Sequence, residues 1–100
     1  MIRNVIVSKL AEDKLQKLFD YLTERWSPKV KSDFVEKLDR SIEIIKTQPE
    51  SFPESDIKPG LHKCVISKQT TLYFRFTSSQ IKIVNIFDNR QNPSKLSKEL

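Results

Sequence analysis

The feature that most constrains this chain is a change of hydrophobic period at a block of prolines. Leu10, Leu15, Leu18, Phe19, Leu22 and Trp26, then Val30, Phe34, Leu38, Ile42 and Ile45, recur at spacings of three and four, which lines up one face of a helix. Beyond Gly60 the runs 61–67, 71–76 and 81–87 are rich in β-branched and aromatic residues with a period near two, as in strands buried on one side. Pro49, Pro53 and Pro59 stand between the two regimes. Proline lacks an amide hydrogen and clashes with the preceding turn, so no helix runs through them. Two apolar helix faces and a one-sided sheet must cover each other, which makes the chain α+β.

Local signals refine that order. Residues 2–7 form a β-branched run and Ser8 follows where a helix N-cap belongs. Ser27-Pro28 repeats the start signal, because proline is harmless at the first helical position, where its missing N–H has no partner anyway. So short a turn predicts a helical hairpin, with Trp26 counted as core. Residues 48–60 read as a solvated connection carrying Glu50, Glu54 and Asp56, while Lys68-Gln69 and Ser78-Ser79 link three strands into an antiparallel meander. The expected architecture is βααβββ over a single domain, residues 1–100, with the hairpin on one face of a small antiparallel sheet. The neighbour of the first strand is left open. Alternation sends Cys64, Ile66, Leu72, Phe74 and Phe76 toward the helices and Lys63, Tyr73 and Arg75 to the other face. Asn92-Pro93 would start a last helical turn bearing Lys95 and Lys98.

Charge is distributed unevenly. Residues 1–60 hold 11 Lys+Arg against 11 Asp+Glu, whereas residues 61–100 hold 7 against 2, so the net +5 lies wholly in the strand half and its tail DNRQNPSKLSK. Such a surface attracts nucleic acid, an acidic protein segment or anionic lipid. One cysteine excludes an internal disulfide, and one histidine leaves too few soft ligands for zinc. No cofactor is expected either, since the sole glycine, Gly60, cannot make a Gly-rich phosphate loop. No stretch has the roughly 18 apolar residues of a membrane span, so a cytosolic protein is expected.

The residues able to carry chemistry are few. Lys63 and Arg75 on the outer sheet face, with Arg90 leaving the last strand, would converge near Tyr73; such cations clamp a phosphate, or are simply the solvated face of a sheet. His62 has the parity of the helix-covered face and reads as a structural histidine. Cys64, among apolar neighbours with no paired base, reads as a small core residue. In the basic half only Asp88 and Glu99 are acidic, which leaves no carboxylate pair for acid–base work.

The order of these pieces resembles the RelE/ParE superfamily, the plasmid-stabilisation toxins of type II toxin–antitoxin systems. The matching segments are Ala11-Glu12-Asp13-Lys14-Leu15, Tyr21 to Trp26, Phe34…Leu38…Ile42, Gln48-Pro49, Gly60-Leu61-His62-Lys63, Leu72-Tyr73-Phe74-Arg75-Phe76 and Phe87-Asp88-Asn89-Arg90-Gln91-Asn92-Pro93. The resemblance implies a growth inhibitor held in check by a cognate antitoxin. It implies either DNA gyrase as target, as in the ParE branch, or a ribosome-dependent, metal-independent mRNA endonuclease, as in the RelE branch. A degenerate module that only binds antitoxin is the third possibility. Carried onto this chain, Lys63, Arg75 and Arg90 are phosphate or target contacts, and Tyr73 and Lys95 further binding residues. The chain departs from the nuclease pattern in two places: no Tyr or His follows Arg90, and His62 stands where an arginine is usual. That departure tilts the expectation toward gyrase.

Overall fold

In the computed structural model, which describes residues 3–89, the chain runs β1 (Asn4–Val7), α1 (Lys9–Arg25), α2 (Pro28–Thr47), a 3-10 turn (Pro49–Ser51), β2 (His62–Ser67), β3 (Thr70–Phe76) and β4 (Gln80–Asp88). Both helix starts follow from a serine. The Ser8 hydroxyl accepts from the Ala11 N–H at 3.1 Å and the Ser27 hydroxyl from the Val30 N–H at 3.2 Å, with Pro28 directly after the second cap. Ser8 also donates to the Val84 carbonyl at 2.8 Å, so one side chain caps α1 and fastens it to β4.

The four strands lie in the order β1-β4-β3-β2. β2, β3 and β4 form the antiparallel meander, and β1 joins parallel to β4, with Val5 beside Ile81 and Val7 beside Ile83. The neighbour left open by the sequence is therefore the last strand. Arg3 secures this join by donating to the carbonyls of Thr77 (2.7 Å) and Lys46 (3.1 Å) while its guanidinium sits 5.6 Å from the Phe76 ring centre.

The hairpin packs on one sheet face. Ala11, Phe34, Leu38 and Ile45 from the helices meet Cys64, Ile66, Leu72, Phe74, Ile81, Ile83 and Ile86 from the strands, and the Phe19 and Phe34 rings join α1 to α2. Strict alternation would carry Asn85 and Phe87 to this face. A bulge prevents it: Tyr73 pairs with Asn85 but Phe74 with Ile83, so Val84 is the extra residue and parity inverts after it. Ile86 then meets the helices, and Phe87 joins Leu61, Tyr73 and Val84 in a second small cluster on the opposite face.

Trp26 departs from the expected core. The residue is 67% exposed, because the helix ends there: the N–H groups of Trp26 and Ser27 both return to the Leu22 carbonyl, at 3.2 and 3.0 Å, and Trp26 takes a non-helical backbone (φ −117°, ψ −86°) off the apolar stripe. Among the described residues, no helix is long and apolar enough to cross a membrane.

Candidate functional site

The sheet face turned away from the helices carries the cations. Register places Lys63 directly across from Tyr73, and Arg75 directly across from Lys82. Lys63, Arg75 and Lys82 form no ion pair with any described residue; pairs such as Lys9–Asp13 and Arg40–Glu36 run along the helices. Arg75 is held by the chain itself, donating through Nη1 to the Pro59 carbonyl at 3.1 Å. Lys82 was not singled out in the sequence. It stands between Ile81 and Ile83, both buried against the helices, and that alternation was the signal for its outward position. Arg90 and Lys95 lie outside the described residues.

Tyr73 sits in this face without being a platform. Its residue is only 7% exposed, packed with Leu61 and Phe87, so the ring is not available for stacking. Burial pushes the phenol above its ordinary value and keeps the hydroxyl protonated.

The two residues with the best intrinsic chemistry lie on the other side. His62 donates through Nδ1 to the Phe52 carbonyl, 2.8 Å away; since a carbonyl only accepts, Nδ1 carries the hydrogen. Its ring stacks on Phe74 (5.6 Å between centres) and tilts against Phe76 (5.0 Å). Cys64 is buried, and burial pushes its thiol up despite a hydrogen bond with Ser41 that acts the other way. A thiol so placed is a poor nucleophile.

A second surface opens where the hairpin turn stands off the sheet. It is a groove of about 1000 Å³ lined by Leu18, Tyr21, Leu22, Trp26, Val30 and Phe34, with Asp13 and Lys17 also on its wall. Tyr21, Trp26 and Val30 are exposed along it. Exposed aromatics gathered round a concave apolar surface are the usual anchors of protein association.

A two-helix hairpin over one face of a four-stranded mixed sheet, with cations on the far face, is the fold of RelE/ParE-type toxins. Structurally the chain is similar to a protein of the chromosomal ParDE system from P. aeruginosa, with a TM-score of 0.70 and 14% identity over 87% of this chain and 96% of that one. It is also similar to a chain of the E. coli DinJ–YafQ toxin–antitoxin complex, with a TM-score of 0.56 and 12% identity over 90% and 96% of the two chains. A YafQ mutant from E. coli gives 0.53 and 13% over 88% and 94%. No curated protein matches by sequence. Residues 5–93 match the family described as "ParE toxin of type II toxin-antitoxin system, parDE", and the chain belongs to that family.

Proposed function

We propose that this toxin arrests growth in the cytoplasm by binding DNA gyrase, and that a cognate antitoxin neutralises it by laying an amphipathic helix into the Trp26 groove. One observation carries the choice of target. On the cationic sheet face, Lys63 lies across from a tyrosine whose ring is buried and whose phenol is held protonated, with Arg75 and its partner Lys82 farther along the same face, while the His62 Nδ1–H is committed to the Phe52 carbonyl on the helix side. Metal-free RNA cleavage needs a group to take the 2′-hydroxyl proton and another to protonate the leaving oxygen, each contributing roughly 100-fold or more. Binding needs only complementary shape and charge. The second reading, a ribosome-dependent mRNA endonuclease, draws on the same cations, with Lys63 across from Tyr73 and Arg75 two residues along β3 as phosphate contacts.

Purified toxin decides between them. With gyrase and supercoiled plasmid it is expected to accumulate linear DNA covalently held by gyrase, and with translating ribosomes to leave mRNA intact. The opposite pair of results assigns the nuclease.

A further inference from the structure

Arg75 and Lys82 are cross-strand partners on an exposed face, and like charges directly opposite one another destabilise a sheet. Neither has a carboxylate partner among the described residues. Left alone, the long Arg75 side chain would swing away from Lys82. Instead its Nη1 is fastened to the Pro59 carbonyl at 3.1 Å.

That tether depends on the residue next to it. Gly60 turns the chain with φ +77°, and a Cβ added there would lie 3.0 Å from Arg75 Nη1. The atom in the way is the tip of a flexible side chain, so a residue that can hold the left-handed turn would not unfold the protein; it would displace the guanidinium by a few tenths of an ångström and disturb its bond to Pro59. Glycine here serves two ends, the left-handed turn and the room for Arg75. With one Nη1 hydrogen used, the Nε–H and Nη2–H edge remains as a two-pronged donor for an oxyanion.

The neighbours say what brings that oxyanion. Val65 is 65% exposed and Ile6, paired with Lys82, is 43% exposed, and both share this face with the cations. The aromatic residues of the face, Tyr73 and Phe87, are buried, whereas binding a single nucleic-acid strand rests on exposed rings for its bases. Cations among exposed aliphatic side chains fit a carboxylate-bearing protein segment with small apolar residues. We infer that the Arg75–Lys82 pair is the centre of a binding site for an acidic segment of a protein partner, and that Gly60 is the positioning residue that aims Arg75 at it. The inference rests on the reading that this face meets the target.

The test uses the full chain, labelled with ¹⁵N. An alternating Glu-Val octapeptide and a twelve-residue oligothymidylate are titrated separately at equal salt, following the Arg75 Nε–H signal and the amides of Val65 and Lys82. The peptide is expected to move these signals. Gly60→Asn, which tolerates the left-handed turn but supplies a Cβ, and Lys82→Ala should each weaken it roughly tenfold, with melting temperatures near wild type, while Lys29→Ala on α2 changes nothing. Binding of the oligothymidylate but not the peptide overturns the choice of partner. Wild-type peptide binding by Gly60→Asn, with an unchanged Arg75 Nε–H signal, overturns the role of Gly60. Growth inhibition by Arg75→Ala is read separately: if it is retained, the target-face reading falls and the inference loses its function, whereas lost inhibition beside unaltered peptide binding by Lys82→Ala overturns the inference alone.

Discussion

Phe19 and Phe34 meet edge to face, their ring centres 6.3 Å apart and their planes at 67°, and this contact closes α1 onto α2 where both helices rest on the sheet. Phe34 is buried and Phe19 packs against the same core. Removing a buried phenylalanine forfeits its transfer free energy and leaves a cavity, so Phe34→Ala should destabilise by about 3–5 kcal/mol. A double-mutant cycle with Phe19→Ala should return a coupling of about 0.5–1.5 kcal/mol. Urea denaturation of the four proteins measures both, and additive effects would mean that the rings merely share a neighbourhood.

Trp26→Ala should behave in the opposite way. The side chain is mostly in water, so stability should change by no more than about 0.5 kcal/mol, yet affinity for the antitoxin should fall by about tenfold or more if Trp26 anchors the groove. Trp26 is the one tryptophan of the chain, and its fluorescence should shift to the blue as antitoxin is added. A spectrum unmoved by saturating antitoxin would place the partner elsewhere.

The stability should fall in alkali, and the sign is fixed by two groups. Burial raises the Tyr73 phenol above its ordinary value and, despite the opposing hydrogen bond with Ser41, the Cys64 thiol as well. The folded state thus holds these protons more tightly than the unfolded chain does. Their contribution is complete below the ordinary values of 9.0 for the thiol and 10.0 for the phenol, and is lost as pH climbs through the raised ones. Melting curves between neutral pH and pH about 11 should show the decline; Tyr73→Phe and Cys64→Ala should each flatten part of it.

Two cations are best tested by growth. Lys63→Ala should reduce growth inhibition with a stability change within about 0.5 kcal/mol, since the side chain lies on the face away from the hairpin. Arg90→Ala carries the stronger expectation, loss of inhibition in a protein that melts like wild type. Full inhibition by a well-folded Arg90→Ala protein would remove Arg90 from the site.

Much of this architecture was legible because its causes are local. Serine caps, the proline block and the two hydrophobic periods act within a few residues of themselves, and they fixed the hairpin, the meander and the outward face of Lys63 and Arg75. The parallel pairing of β1 with β4 was not legible: it joins Val5 to Ile81, and nothing near either residue specifies the other. The bulge at Val84 was hidden for a related reason, since it shows only against the register of β3. Trp26 misled because its spacing fits the stripe while its backbone has already left the helix. Of the site, charge and alternation revealed the face, but the tether of Arg75 to Pro59 needed the fold to bring residues sixteen apart together.

The placement of β4 between β1 and β3 bears on the order in which the two surfaces of this toxin are completed. The last of the described strands is an inner one, so β1 waits for its neighbour until β4 has been made, and pairings this distant in sequence form slowly. Arg75 and Lys82 face one another only after β4 has docked. A nascent chain therefore has its helices before this pair of cations is assembled, so the hairpin groove is presented before the cationic face is complete.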